Sequence, residues 1–298
     1  MMDQWKESHR GIAFPWNTDN YGHMNVRFFV EHFDDSSFQS WNALGISRNL
    51  MTDAGVEAVT ARNTVQFFQE VSAGDLFTIK CAITRVGNKS VTFSHRMESS
   101  VTGDIYATMD TVEVIFDLKT RKSATMPLAL RDSLNGIADT ATHSKNEPSD
   151  AGSVRGNADW HTTHRGIVMP WRCDHYGHMN VRWYSHHFDD AGFHLFEMAG
   201  ADVSDLLQQN VALVTAQIQV NYLNELTAGD LFYIDSGFSH IGSKSARHFH
   251  RLKNAKSNHL HATMESIDVL FNMDTRKSIN IPDELKEALS RNLVNIDA

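Results

Sequence analysis

The chain has 298 residues, a length that suits two domains, each large enough to bury its own core. Its formal net charge of −9, with no cluster of basic side chains, argues against nucleic acid or an anionic membrane as the main partner. A small anionic ligand held locally remains compatible with that charge.

Taken in order, His9 to Trp16 alternates weakly and ends in Pro15-Trp16, which predicts a short first strand closed by a turn. A Gly-turn with an acidic residue and a His-Met-Asn trio follows, Asp19 to Asn25. From Val26 the apolar side chains fall at helical spacing through Phe29, Val30, Phe33, Trp41 and Leu44, and Gly45 ends the run. That stretch predicts a helix of about five turns with a wide apolar face. The period then changes to two, with strands expected at 57–68, 76–86, 90–98 and 105–117 and a short return at 124–126. A terminal helix is expected over Leu128 to Ile137. One long helix followed by four or five antiparallel strands is an α+β unit whose helix packs on one face of the sheet.

The whole pattern then recurs. His9 and His164, Asp19 and Asp174, and Pro127 and Pro282 are each 155 positions apart, so no gap is needed between these landmarks. Ala73 to Phe77 reappears as Ala228 to Phe232, and Thr120 to Ser123 as Thr275 to Ser278. This is a tandem duplication of one domain rather than a solenoid of short repeats. The predicted division is a first domain at 1–137, a linker at 138–159 and a second domain at 160–298, the linker being rich in Ser, Asn, Asp and Gly without apolar periodicity. Asp283 to Leu293 predicts the second terminal helix.

The repeated motif sets a carboxylate just ahead of a helix N-terminus. Helix-end amides stabilise an oxyanion, and a carboxylate that is ionised near pH 7 attacks a carbonyl or deprotonates water, so the pair suits acyl transfer. Asp19 and Asp174 are therefore the candidate catalytic groups, an Asx-turn or helix cap being the bland alternative. His23 and His178 are candidates for orienting water or hydrogen-bonding a substrate carbonyl, the other role open to them being to satisfy backbone groups of the turn. Asn25 and Asn180 either cap the helix or touch substrate. Asp34 and Asp189 read first as members of a charge network with Arg27 and Arg182, and second as an additional catalytic carboxylate. Cys173 is set aside as a nucleophile because the other copy has Thr18 there, and because the two cysteines, Cys81 and Cys173, occupy non-equivalent positions no structural disulfide is expected. His248-x-His250 and His259-x-His261 each project to one strand face, but only His250 has a counterpart, His95, and no His-Glu-x-x-His pattern occurs; no metal is expected.

The string Asp-x-x-Gly-His-x-Asn before an aromatic-rich helix, Glu-x-x-x-Gly-Asp at Glu70 to Asp75 and Gly-x-Lys-Ser at Gly87 to Ser90 resemble the hotdog-fold acyl-CoA thioesterases of the 4-hydroxybenzoyl-CoA thioesterase type. His-Met-Asn-Val with Phe33-Asp34 is closer to a branch that includes betainyl-CoA thioesterase. The resemblance covers nearly all of each half. It implies a double hotdog, each sheet wrapping its helix, the two domains paired as an internal pseudo-dimer that further homo-oligomerisation could extend. It also implies that Asp19 and Asp174 act as base or nucleophile and that first-turn amides near Val26 and Val181 polarise the carbonyl. Lys89, Ser90, Lys244 and Ser245 would lie on hairpins near the coenzyme A phosphates. The implied substrate is a coenzyme A thioester, with no cofactor. Two alternatives stand beside it: a hotdog hydratase or dehydratase, and a non-catalytic acyl-CoA-binding protein. Gly-His-Met-Asn and the arginines Arg27 and Arg182 depart from the aryl-CoA enzymes, which leaves the acyl group open. The N-terminal stretch lacks the apolar core of a signal peptide and no segment approaches the roughly 18 apolar residues of a membrane span, so a cytoplasmic location is expected.

Overall fold

The computed structural model describes residues 4–138, 158–201 and 203–296. The chain divides into two compact units, Met1–Asn146 and Glu147–Ala298. The boundary falls within the expected linker, most of which lies outside the described residues.

In the first unit, β1 (Lys6–Ile12) leads through a 3-10 turn (Pro15–Asn17) and the motif loop into α1 (Val26–Ala43). A four-residue helix, α2 (Asn49–Thr52), precedes β2 (Val56–Phe67), β3 (Leu76–Val86), β4 (Ser90–Ser99), β5 (Ile105–Asp117), β6 (Lys122–Ser123) and α3 (Leu128–Asn135). The strands pair antiparallel in the order β1-β3-β4-β5-β2, with β6 on β5. The second unit repeats this with β7 (His161–Ile167), a 3-10 turn at Pro170–Arg172, α4 (Val181–Met198), α5 (Val203–Gln208), β8 (Val211–Tyr222), β9 (Leu231–Ile241), β10 (Ser245–Asn254), β11 (Leu260–Asn272), β12 (Lys277–Ser278) and α6 (Asp283–Ser290). Its path is β7-β9-β10-β11-β8, with β12 on β11. Each unit is thus the α+β domain expected, one long helix carried by an antiparallel sheet.

The helix and strand positions follow the sequence pattern closely, with two displacements: the short return strand is Lys122–Ser123, paired with the end of β5, rather than 124–126, and the first strand is shifted as well. The first strand runs Lys6–Ile12 rather than His9 to Trp16, because Pro15 opens the 3-10 turn and a bulge between Glu7 and His9 breaks the alternation that would have marked the strand. The helix stops where Gly45, at φ 74°, supplies the left-handed residue. Gly45 N–H then reaches Asn42 O at 2.9 Å and Ile46 N–H reaches Trp41 O at 2.9 Å, the Schellman pattern. Gly200, Ala201, Glu197 and Phe196 repeat it in the second unit.

The face of α1 against the sheet buries Phe29, Val30, Phe33 and Trp41 together with the small Ser36 and Ser40. Small residues let the sheet approach, and their hydroxyls find partners: Ser40 Oγ donates to Ser36 O at 2.8 Å, and Ser36 Oγ meets Ser8 Oγ at 2.6 Å. At the C-terminal end of α1, Trp41, Ile46 and Met51 join Phe93, Ile115 and Leu130 in one apolar cluster. Among the described residues no helix is long and apolar enough to cross a membrane.

The two cores differ in their polar centre. In the first unit His95 bonds Ser36 Oγ through Nδ1 at 3.0 Å. In the second unit His250 keeps that place, and His248, standing where the first has Phe93, extends it into a buried chain. Thr163 Oγ1 meets Ser236 Oγ at 2.6 Å, Ser236 Oγ meets His250 Nδ1 at 2.5 Å, His250 Nε2 meets His248 Nδ1 at 2.6 Å, and His248 Nε2 meets Asp268 Oδ2 at 2.8 Å. The His248-x-His250 pair is therefore absorbed in a hydrogen-bonded core.

Glu113, the first-unit counterpart of Asp268, accepts from Trp41 Nε1 at 3.2 Å. Burial nonetheless pushes its carboxyl up to about 7. The unfolded chain ionises this group above 4.5 while the folded chain keeps it neutral, so stability is fullest below 4.5 and is lost as pH rises toward 7. Glu113→Gln is expected to recover on the order of 3 kcal/mol of unit-one stability at neutral pH. Urea titrations at about pH 5 and about pH 8 check it, the contrary result being an unchanged pH slope in the variant.

Candidate active site

The loop after the 3-10 turn is a miniature hairpin in which Thr18 pairs with Met24. Asp19 N–H donates to His23 O at 2.8 Å and Gly22 N–H to Asp19 O at 3.1 Å, with Gly22 at φ 80° turning the chain. Asp19 Oδ1 accepts from Tyr21 N–H at 2.8 Å and from His23 N–H at 3.4 Å. The second copy is alike: Asp174 Oδ1 accepts from Tyr176 N–H at 2.8 Å and from His178 N–H at 3.1 Å. The Asx-turn is thus present in both copies, held by one carboxylate oxygen, which leaves the other oxygen outside the turn's hydrogen bonds. Burial raises the Asp19 carboxyl above its ordinary 3.8, against the lowering pull of the Tyr21 and His23 amides and the His23 ring.

Asn25 caps α1, its Oδ1 accepting Arg27 N–H at 2.9 Å, and Asn180 caps α4 through Arg182 N–H at 3.0 Å. Of the two roles open to these asparagines, the cap is the one the side-chain oxygen fills. Phe28 N–H reaches Asn25 O at 3.0 Å. Val26 N–H comes ahead of both engaged amides, at the positive end of the helix dipole; Val181 has the same place in α4.

A third strand of the site comes from the loop after β2. Met24 N–H donates to Val71 O at 2.7 Å and His23 pairs with Ser72, which lays the two loops side by side. Glu70 Oε2 is thereby 3.1 Å from His23 Nε2, and in the second unit Glu225 Oε2 is 3.4 Å from His178 Nε2. In the neutral form of the ring the carboxylate accepts from Nε2–H and Nδ1 is an acceptor. The rest of the Glu-x-x-x-Gly-Asp motif is structural: Asp75 Oδ2 accepts Ser72 N–H at 2.8 Å, and Gly74 N–H reaches Ala13 O at 2.8 Å, tying this loop to the end of β1. Glu70, to which the Glu-x-x-x-Gly-Asp motif alone assigned no role, is thereby brought to the candidate site. The repeat of Glu70 as Glu225 was the signal available.

Other candidates are placed elsewhere. Lys89 and Ser90 sit on the β3–β4 hairpin, where Gly87 N–H reaches Ser90 O at 2.7 Å and the flanking Val86 and Val91 pack with Trp41 and Leu44. They are at the C-terminal end of a helix about 27 Å long, so within its own unit the structure does not bring them to Asp19. Lys244 and Ser245 occupy the same hairpin of the second unit, and Lys244 Nζ donates to Ser278 O at 3.2 Å. Asp34 is buried two turns into α1, not at the loop. Cys81 and Cys173 are both free thiols. Burial, seconded by the Asp174 carboxylate, pushes the Cys173 thiol above 9.0, which disfavours the thiolate that a nucleophile needs.

A family model described as the thioesterase-like superfamily matches residues 14–134 and again 168–289, one match for each repeat. The chain belongs to this superfamily. It is a thioester hydrolase built as a double hotdog. No curated protein matches it in sequence. Among solved structures it is similar to a 12:0-ACP thioesterase from Umbellularia californica, with a TM-score of 0.72 and 14% identity over 91% of this chain and 95% of that one. It is also similar to an acyl-ACP thioesterase from Bacteroides thetaiotaomicron, with a TM-score of 0.65 and 14% identity over 89% of this chain and 98% of that one. At such identity the likeness is one of fold, and it spans both repeats. The superfamily matches begin at Phe14 and Val168, so each takes in the Asp, the His and the Glu described above.

Proposed function

We propose that each repeat hydrolyses an acyl-CoA thioester, with Asp19 in the first and Asp174 in the second as nucleophile or general base. The observation that carries this reading is the carboxylate held by loop amides through one oxygen, immediately before a capped helix and beside a His–Glu pair, built identically in both units. Asp19 Oδ1 is taken by the turn, and Oδ2 supplies the attack or the proton abstraction. The thioester oxygen receives Val26 N–H, or Val181 N–H, as charge develops on it. His23 and His178, held by Glu70 and Glu225, orient the water when the carboxylate is the general base. When the carboxylate is the nucleophile they take at Nδ1 the proton of the water that cleaves the acyl anhydride. In either case the coenzyme A thiolate leaves and is protonated from solvent. Coenzyme A is substrate here and not a resident cofactor.

A second reading keeps the reaction and changes the carrier. Two similar structures that cover 91% and 89% of this chain are named as ACP thioesterases, which favours an acyl-carrier protein in place of coenzyme A. One panel decides both points: acyl-CoA thioesters of aromatic, branched, charged and medium-chain acyl groups, and the same acyl groups on carrier protein, followed by free-thiol release. Turnover on the coenzyme A series is expected. Turnover on carrier protein alone would replace the first carrier by the second, and release from neither would overturn the hydrolase reading.

A further inference from the structure

Apart from the catalytic loops, each unit gathers two histidines and a carboxylate from β1 and α1, or from β7 and α4. In the first unit the group is His9, His32 and Asp35; in the second it is His164, His187 and Asp190, and in each the donor atoms all lie within 4.8 Å of one another. A β-bulge makes the gathering possible. Adjacent residues of a regular strand point to opposite faces. The irregularity between Glu7 and His9 instead lets both Ser8 and His9 reach α1, Ser8 at Ser36 and His9 at His32. The second unit has the same bulge between Thr162 and His164. On the helix, His32 and Asp35 are three positions apart and so share a face.

The separation of the imidazole nitrogens suits a shared ion. His9 Nε2 and His32 Nδ1 are 3.2 Å apart. Two metal–nitrogen bonds of about 2.1 Å to atoms at that spacing subtend about 100°, between the octahedral and tetrahedral angles. Phe77, fully buried and 4.7 Å from the His32 ring centroid, walls one side with apolar surface. Two imidazoles and one carboxylate select zinc or a neighbouring first-row ion over magnesium or calcium, which prefer oxygen alone.

The two copies differ in one partner. Arg172 Nη1 is 2.9 Å from His187 Nε2, and a guanidinium only donates. His187 Nε2 is therefore the acceptor, its proton is on Nδ1, and Nδ1–H donates to His164 Nε2 at 2.9 Å. The equivalent nitrogens of the first unit also lie at hydrogen-bonding distance, so what distinguishes the second copy is that the guanidinium fixes the direction of this bond and already sets a cation beside it. In the first unit the position equivalent to Arg172 is the neutral Asn17, whose Oδ1 accepts Phe14 N–H at 2.9 Å within its own turn.

We propose that His9, His32 and Asp35 bind one divalent first-row transition ion, zinc being the type, and that His164, His187 and Asp190 do not, because Arg172 supplies the positive charge in the second copy. The ion clamps β1 to α1 just behind the catalytic loop and takes no part in the reaction. Its existence is independent of the hydrolase reading.

The test uses the full chain, free of any affinity tag, stripped with chelator and titrated with zinc by calorimetry and with cobalt(II) by visible absorption. The expected result is about one equivalent bound per chain, with the intense visible bands of a four- or five-coordinate cobalt site. His32→Ala, His9→Gln and Asp35→Asn should each remove that equivalent, His187→Ala should leave it, and Arg172→Asn should raise the total toward two. Circular dichroism shows which variants are folded; the three first-unit substitutions are alternatives, so any one that folds suffices. Absence of binding in the parent chain, or binding that survives in a folded first-unit variant, overturns the site. A single equivalent in Arg172→Asn overturns the role given to the arginine.

Discussion

Asp19→Asn combined with Asp174→Asn is expected to lower thioester hydrolysis by at least about a hundredfold, since removal of a general base or nucleophile commonly costs that much or more. Asn keeps the shape of the side chain and retains an oxygen to accept the Tyr21 and His23 amides, so the loop is preserved while the charge is lost. The measurement is kcat on the best thioester of the panel, with circular dichroism confirming the fold. Near-normal turnover in the folded double variant would sink the assignment, and it is the result a binding module predicts. Because each unit carries its own Asp, His and Glu, the single substitutions should each keep a substantial fraction of activity, with losses that sum to the double. One single variant abolishing turnover while the other does nothing would mean that the repeats have specialised. Lowering the pH should silence the first site before its carboxyl would titrate in water, because burial raises Asp19 above 3.8 and only the ionised form acts.

The second large effect is on stability in acid. His95 is fully buried, and burial pushes its imidazolium down to about 3. Above 6.5 the ring is neutral in both folded and unfolded chains. Below 6.5 the unfolded chain gains a proton that the folded chain refuses until about pH 3, so stability is lost progressively across that window as pH falls. The full loss from this one group is on the order of 5 kcal/mol. His187, held to about 3 by burial first and then by His164 and Arg172, and the fully buried His250 act in the same direction in the second unit. His95→Gln cannot take up the proton and should flatten the first-unit part of the dependence. Unfolding free energies by urea at successive pH values measure it; a slope unchanged by the substitution would count against His95 as a source.

How much of this was legible beforehand depends on distance along the chain. The duplication needed only the constant spacing of 155, and the class of each unit needed only the change of period after Gly45. The loop around Asp19 was readable because every signal in it is local: a Gly-turn, a cap and a helix start within a few residues. Helices α2 and α5, of four and six residues, are too short for a helical period to register and were not expected.

The sequence alone therefore determined the repeat, the element order and the acidic loop ahead of each long helix, since turn chemistry and apolar periodicity act between near neighbours. Only the tertiary structure decided which distant groups meet. It set Glu70 against His23 by laying the loop after β2 along the motif loop, and it drew His248 into a buried chain with Asp268. It also turned Ser8 and His9 toward one helix through a bulge that no alternation pattern reveals. The same holds for Arg172, which a residue-by-residue comparison of the repeats pairs with Asn17 as one more drifted position. Its contact with His187, the difference that separates the two histidine clusters, exists only once strand, turn and helix are packed together.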